Sequence, residues 1–234
     1  MRALVGAAAV TAAALGGMTW AVRGRSSQVF GPSVWRGNPA GKAIALTFDD
    51  GPSNATPAIL DVLAGYGVAA TFFQCGRNVE RTPELARAVC DGPHEIGNHS
   101  FSHPNFALAR PTFIGDEFQR AQDAIVEATS RKPALTRPPY GVRWFGFRDM
   151  QRELGLTCVM WTVIGWDWRL AAPQITARVL AGAGPGAIVC LHDGQATLPN
   201  PDRSQTIEAV RRIVPSLLEK GYHFETVSTL LCRN

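Results

Sequence analysis

Two adjacent carboxylates, Asp49 and Asp50, lie in the stretch ALTFDDGP, after an apolar run and before Gly51 and Pro52. Because neighbouring residues on a strand point to opposite faces, both acids can serve one site only if the strand ends there and the chain bends. Gly51 and Pro52 favour that bend. Two like charges this close repel each other unless cations offset them, so the pair predicts a metal ion and an arginine nearby. A solvated turn is the alternative interpretation of this stretch alone.

Two histidines, His99 and His103, are four residues apart in GNHSFSHPN. If the segment forms a helical turn that ends before Pro104, both imidazoles lie on one face and can bind one ion. Two histidines alone do not establish a metal site. Together with Asp50 they make a set of two histidines and one carboxylate, which leaves positions open for water and substrate. One acid of the pair can then bind the ion while the other takes a proton from water.

Three further polar residues follow apolar runs. Arg137, in TRPPYG, is the expected cation, although an arginine beside two prolines is also typical of a surface loop. Asp167 lies between Trp166 and Trp168, which indicates a cleft wall with a polar group, or plain core. His192 leaves an apolar strand-like run as a possible general acid, whereas a single histidine at a strand end is usually structural.

The chain alternates short apolar runs with longer segments of helical period, a pattern typical of βα units around a parallel sheet. Seven strands are predicted at 42–49, 69–76, 94–99, 135–139, 157–163, 187–193 and 222–227. A doubly wound open sheet and a barrel both fit this pattern. The polar residues named above fall at or just after strand ends, which in barrel enzymes is the rim that carries the active site.

Composition predicts one globular domain, because 234 residues bury one large core, 46% are hydrophobic and 18% are charged. The net charge is +4, but the 23 lysines and arginines are scattered, so nucleic acid is not an expected partner.

The N-terminal segment differs from the rest of the chain. Leu4–Val22 carries no charged residue and is flanked by Arg2 and Arg23, which favours a signal or uncleaved membrane anchor over residues 1–25 and hence export. A buried Ala-rich helix is the alternative. Residues 26–41 read as an extended lead-in, and residues 42–234 as the catalytic domain.

Five motifs in order resemble those of the polysaccharide deacetylases with a NodB-homology domain, carbohydrate esterase family 4. They are TFDDGP, HSFSH, RPPYG, DW and the LHD segment, and the resemblance covers about residues 42–231. It implies a distorted (β/α) barrel of seven or eight strands, in agreement with the seven predicted here.

The resemblance also implies a role for each matching residue. It makes Asp49 the general base, held by Arg137, and makes Asp50, His99 and His103 the ligands of a divalent metal ion such as zinc or cobalt. It makes His192 the general acid, oriented by Asp167. The backbone N–H of Tyr140 is the implied oxyanion donor, and the implied substrate-binding residues are Trp168, Cys190 and Leu191. Cys190 stands where the family usually has leucine, so the acyl pocket is expected to be wider or differently shaped.

The function that the resemblance implies is metal-dependent removal of N-acetyl groups from N-acetylglucosamine units of chitin, chito-oligosaccharide or peptidoglycan. The alternatives are hydrolysis of O-acetyl xylan or a small-molecule amide at the same site, and a sugar-binding homologue that has lost catalysis. Trp166 and Trp168 favour a sugar, because pyranose faces stack on indole rings. A membrane contact through the N-terminal segment is expected if the segment stays uncleaved.

Overall fold

The computed structural model describes residues 14–232 and has an α/β fold in which parallel strands curl into an open barrel with helices around it. The strands are β1 (Ser33–Val34), β2 (Ala43–Gly51), β3 (Thr71–Gln74), β4 (Glu95–Asn98), β5 (Leu135–Thr136), β6 (Thr157–Val159), β7 (Val163–Ile164), β8 (Ile188–His192) and β9 (His223–Phe224). The helices are α1 (described over residues 14–23), α2 (Thr56–Gly65), α3 (Gly76–Arg81), α4 (Pro83–Asp91), α5 (Pro111–Thr129), α6 (Phe147–Leu154), α7 (Ala172–Gly182), α8 (Ser204–Glu219) and α9 (Val227–Leu231).

The strand order is β1-β6-β5-β4-β3-β2-β8-β7, and β9 pairs with β2. Strands β2 to β6 follow one another in one direction around the sheet, without the reversal that marks a doubly wound sheet. Within the described residues the end strands β1 and β7 do not pair with each other, so the barrel stays open there. The predicted distorted (β/α) barrel is confirmed.

Two strands differ from the prediction. The predicted strand 157–163 is divided, because β6 pairs with β1 and β5 whereas β7 pairs with β8, so the chain passes between the two ends of the sheet. Strand β1 lies in the lead-in, where no strand was predicted. The described sheet therefore has nine strands and not seven.

The central strand β2 is buried along its whole length, and its side chains alternate between two environments. Leu46 and Phe48 lie in the core beneath the helices, where the Phe48 ring stacks on Phe72 at 5.0 Å. Burial of each such side chain contributes about 1.5–3 kcal/mol. Thr47 and Asp49 point to the opposite side, into the barrel interior, where both accept hydrogen bonds from one arginine.

Strand register brings the predicted site residues to one edge. Asp49 of β2 lies opposite His192 of β8. Asn98 of β4 lies opposite Thr136 of β5, so the residues that follow these two, His99 and Arg137, are also neighbours. The carboxyl ends of parallel strands therefore assemble the rim that the sequence predicts.

The end of the N-terminal segment packs against the barrel. Ala21 and Val22, at the end of α1, are buried, and the Val22 carbonyl accepts a hydrogen bond of 3.1 Å from the Arg143 backbone N–H. Residues 4–13 of the apolar N-terminal segment lie outside the described residues. Among the helices that are described, none is both long enough and apolar enough to cross a membrane.

Candidate active site

Asp49 and Asp50 line the same cavity because a β-bulge separates them. The register against β3 shifts between Asp49 and Gly51, and Asp50 has a φ of 70°. The chain therefore bends as predicted, but within strand β2 and not at its end. A side chain at Gly51 is excluded, since a Cβ there would lie 2.2 Å from an oxygen of Asp193.

Three metal-ligating side chains converge beside the bulge. Asp50 Oδ1 lies 3.2 Å from His99 Nε2 and 3.0 Å from His103 Nε2. Asp50 Oδ2 accepts a hydrogen bond of 2.8 Å from the Ala196 backbone N–H. His99 Nδ1 lies 2.6 Å from the Arg137 carbonyl oxygen, to which it donates, so His99 Nε2 presents its lone pair to the centre.

The electrostatics suit a cation at this point. Burial alone would raise the pKa of Asp50, but the polar contacts of its carboxylate with the His103 and His99 imidazoles outweigh burial and hold the pKa well below its usual range. An ionised carboxylate and two imidazole nitrogens are a donor set for a divalent first-row metal ion. The set fits such an ion because the three ligand atoms lie within 4.8 Å of one another and face an open cavity.

A loop holds the two histidines, and the predicted helical turn is wrong. Ser100 and His103 have φ values of 63° and 60°, which break a right-handed helix. Helix α5 holds the loop through Glu117, whose Oε2 accepts the N–H groups of Phe101 at 3.1 Å and Ser102 at 2.8 Å. The two histidines, four residues apart, therefore face one ion position because the loop between them folds back.

Asp49 is buried and tied to a buried arginine. Arg137 Nη1 donates to Asp49 Oδ1 at 2.6 Å and to Thr47 Oγ1 at 2.7 Å. The other guanidinium nitrogens donate to the carbonyl oxygens of Val159 and Met160 at 3.0 Å and 3.2 Å. Arg137 is thereby fixed on all sides, and it fixes the orientation of the Asp49 carboxylate.

His192 is paired with Asp167. Its Nδ1 lies 2.9 Å from Asp167 Oδ1, while Asp167 Oδ2 accepts the His192 backbone N–H and the Thr206 hydroxyl, both at 2.8 Å. Burial would lower the pKa of His192, but the charge and hydrogen bond of Asp167, with smaller contributions from Asp50 and Asp49, raise it to about 9. His192 is therefore a cationic donor near neutral pH.

These groups surround one cavity of about 420 Å³. The ring of Trp168, which is 48% exposed, meets His192 edge-on at 5.1 Å, and the ring of Tyr140 meets His103 at 4.7 Å. Cys190 forms part of the wall, with Sγ 3.4 Å from Asp49 Oδ2. The cavity thus combines a polar floor with aromatic walls.

Residues 36–159 match the family model described as polysaccharide deacetylase. Over 198 residues the chain is 36% identical to a chitooligosaccharide deacetylase from Bradyrhizobium sp., and the alignment covers 81% of this chain and 90% of that one. The chain belongs to the polysaccharide deacetylase family.

Two further relatives of this deacetylase family show the range of its members. The chain is 36% identical to a peptidoglycan-N-acetylglucosamine deacetylase from Listeria monocytogenes, over 81% of this chain and 39% of that protein. It therefore spans about two fifths of the length of that relative. It also superposes on a CE4 family pseudoenzyme from Bacillus anthracis with a TM-score of 0.78 and 32% identity, over 86% of this chain and 69% of that one.

Ten of the eleven residues that the deacetylase resemblance singled out either line the cavity or hold a residue that does. Tyr140, Trp168 and Cys190 are in its wall. Leu191 is not in the wall. Strand alternation turns it away from Cys190 into the core, where a Cβ on Gly165 would lie 2.4 Å from it. The position predicted for Leu191 in the substrate site is thus wrong.

Trp166 also differs from its predicted place in the cleft wall. Its ring lies between the guanidinium groups of Arg169 and Arg178, at 4.1 Å and 3.7 Å, and is not part of the cavity lining. Trp161, which the sequence did not single out, does line the cavity. No short-range signal in the sequence distinguishes the two tryptophans.

Asp193, next to His192, lies beneath the site. It is fully buried, its Oδ2 accepts a 2.6 Å hydrogen bond from Thr56 Oγ1, and burial raises its pKa to about 7. Asp193 also places its backbone N–H 3.1 Å from the Asp49 carbonyl. Its position joins the ends of β2 and β8 and supports Asp49 from below.

Proposed function

We propose that the protein is a metal-dependent N-deacetylase that removes acetyl groups from N-acetylglucosamine units of a polysaccharide, with release of acetate. One observation carries the proposal: a buried carboxylate, a metal-ligand set and a cationic histidine face one cavity of about 420 Å³. Amide hydrolysis needs a base for water, a cation for the developing oxyanion and an acid for the leaving amine.

Asp50, His99 and His103 would hold the metal ion. Their mixed nitrogen and oxygen donors suit zinc, and the same donors also bind other divalent first-row ions such as cobalt. When bound, such an ion lowers the pKa of water and polarises a carbonyl oxygen. His99 is already oriented for this task by its 2.6 Å contact with the Arg137 carbonyl oxygen.

Asp49 would act as the general base. Its Oδ1 is occupied by Arg137, so Oδ2 is the oxygen that accepts the proton of the attacking water. The bulge places Asp49 directly beside the ligand Asp50, so the two acids divide the work: one binds the ion and the other binds the proton.

His192 would act as the general acid. With a pKa of about 9 it carries a proton at neutral pH, and its Nδ1 is held by Asp167 so that Nε2 is the atom that protonates the leaving nitrogen. Protonation releases the sugar as a free amine, and the acyl carbon leaves as acetate.

The walls would hold the sugar and its acetyl group. Trp168 and Cys190 flank the place for the acetyl methyl group, and the backbone N–H of Tyr140 is the proposed second donor to the oxyanion. Exposed Trp168 offers an indole face to a pyranose ring. We further propose that the enzyme acts outside the cytoplasm, on the basis of the apolar N-terminal segment.

Acetate release tests the proposal. Purified protein is incubated with chitotetraose, with peptidoglycan glycan strands and with O-acetyl xylan, and acetate is measured enzymatically. The proposal expects release from at least one of the two N-acetylglucosamine polymers and loss of release in Asp49→Asn. Release from the xylan alone would make the protein an esterase, and no release from any of the three would leave a silent homologue, as the B. anthracis pseudoenzyme is described to be.

A further inference from the structure

Arg203, just before helix α8, is a buried cation that the proposed reaction does not use. It is only 4% exposed, it lines the cavity, and its guanidinium makes one hydrogen bond, from Nη2 to Gln195 Oε1 at 2.7 Å. Its Nε is buried and has no partner among the described residues. Arginine is almost never buried to this extent unless it is paired, because an uncompensated charge is costly away from water.

The other two buried arginines have more partners. Arg137 forms an ion pair with Asp49. Arg143, like Arg203, has a buried Nε without a partner among the described residues, but its guanidinium donates three hydrogen bonds, to the carbonyl oxygens of Ser27 and Gly24 and to the Ser33 hydroxyl. Arg203 differs from both, because the part of the chain that the structure describes gives it a single neutral acceptor.

The nearest acid in sequence, Asp202, gives Arg203 only a weak charge attraction. Asp202 is exposed, and its Oδ1 accepts the Ser204 backbone N–H at 2.9 Å, at the start of α8. Its charge is therefore in water and already engaged with the helix terminus.

A second arginine, Arg23, lines the same cavity from the end of the N-terminal segment. The residue before it, Val22, is buried against the barrel, and Arg25 Nη1 donates to the Thr162 carbonyl at 2.6 Å, so this part of the segment is held in place. Arg23 itself is exposed. The cavity thus has two cations in its lining that serve neither Asp49 nor the metal set.

We propose that Arg203, assisted by Arg23, binds a carboxylate on the sugar next to the N-acetylglucosamine unit that is deacetylated, so that the substrate is an acidic glycan with alternating N-acetylmuramic acid units. This inference rests on the proposed function. A carboxylate supplies the charge and the two acceptor oxygens that a guanidinium fork binds best. A neutral polymer of N-acetylglucosamine alone leaves Arg203 uncompensated.

A purely structural role for Arg203 makes a different prediction. Gln195, its hydrogen-bond partner, precedes Ala196, whose N–H binds Asp50. If Arg203 only held this loop, its loss would disturb the metal ligands and lower kcat/KM for every substrate by the same factor. A carboxylate-binding Arg203 matters only for the acidic glycan, and this difference can be measured.

The experiment compares three substrates: peptide-free glycan strands of alternating N-acetylglucosamine and N-acetylmuramic acid, the same strands with the lactyl carboxylates converted to methyl amides, and chitotetraose. Wild type is compared with Arg203→Gln, Arg203→Lys and Arg23→Gln. Arg211→Gln is the matched control, because Arg211 is an exposed arginine on the same helix. Thermal unfolding of each variant shows that it folds.

We expect Arg203→Gln to reduce kcat/KM for the acidic strands about ten- to hundredfold, mainly through KM, and to change the other two substrates less than about twofold. Arg203→Lys recovers part of the loss, and Arg23→Gln has a smaller effect because an exposed charge is screened. Equal losses on all three substrates, or no loss on the acidic strands, would overturn the inference.

Failure of the proposed function gives a different result. If no protein releases acetate from any substrate, the deacetylase proposal fails. Calorimetric binding of the acidic strands then decides the inference alone: weaker binding by Arg203→Gln than by wild type supports it, and equal binding overturns it.

Discussion

Replacing Asp167 by Asn removes the negative charge that keeps His192 protonated. The pKa of His192 is about 9, against an ordinary value of 6.5. Each pKa unit corresponds to about 1.4 kcal/mol, so the surroundings favour the imidazolium by roughly 3 kcal/mol although burial opposes the charge, and Asp167, 2.9 Å away, makes the largest favourable contribution. In Asp167→Asn we expect the pKa to fall to about 6.5, because burial still opposes the charge.

The loss of activity should therefore depend on pH. An acid with a pKa of about 9 is about 90% protonated at pH 8, whereas one with a pKa of about 6.5 is about 3% protonated, a ratio of about thirtyfold. At pH 6.5 the same comparison gives about twofold. A metal ion bound nearby lowers the pKa of His192 in both proteins, so the quantity to compare is the separation between the two profiles.

The assay is kcat for acetate release between pH 5.5 and 10 for wild type and Asp167→Asn. The alkaline limb of the variant's pH profile should lie about 2.5 pH units below that of wild type. Thr206→Val is the control, because it removes the 2.8 Å hydrogen bond to Asp167 and leaves the negative charge of Asp167 in place. The alkaline limb of its pH profile should move far less. A loss in Asp167→Asn that is the same at pH 6.5 and pH 8 would refute the electrostatic role given to Asp167.

Three other substitutions test separate parts of the site. Asp49→Asn should lower kcat about a hundred- to ten-thousandfold with little change in KM, and a mutant that retains more than a tenth of wild-type kcat would exclude Asp49 as the base. Arg137→Met leaves Asp49 buried without its cation and should lower the free energy of unfolding in urea by about 3–5 kcal/mol; an unchanged urea midpoint would show that the pair does not support the barrel. Cys190→Leu places a larger side chain where Sγ now lies 3.4 Å from Asp49 Oδ2, so kcat/KM for N-propionyl substrates should fall more than for N-acetyl substrates. Equal changes for both acyl groups would show that Cys190 does not shape the acyl pocket.

The chemistry of the site could be predicted from the sequence because its residues follow strand ends. Asp49, His99, Arg137 and His192 each lie within or at the end of a predicted strand, and parallel strands bring such positions to one rim. The register of β2 with β8 then places Asp49 opposite His192.

The local geometry could not be predicted from the same pattern. Asp50 joins Asp49 through a bulge with a φ of 70°, and the two histidines meet through a loop with two positive φ values. Periodicity describes regular strands and helices and carries no information on such single residues. Leu191 was misplaced for a related reason, since only the exact register decides which of two neighbouring strand residues faces the cavity.

Long-range contacts were also beyond the sequence pattern. Arg203 and Arg23 are 180 positions apart in the numbering, and neither lies in a motif. They line one cavity because the end of the N-terminal segment packs against the barrel and α8 begins near Asp167, to which Thr206 donates. Their shared location is a property of the tertiary structure alone.

The most direct test of the account is acetate release as a function of bound metal. The protein is stripped with a chelator, zinc or cobalt is added in increments, and metal content and acetate release from the preferred N-acetylglucosamine polymer are measured on the same samples, with His103→Ala in parallel. The account predicts that stripped protein releases no acetate and that the rate of acetate release rises with added metal until one ion is bound per chain. His103→Ala should bind little metal and release little acetate. Full acetate release by metal-free protein would contradict it.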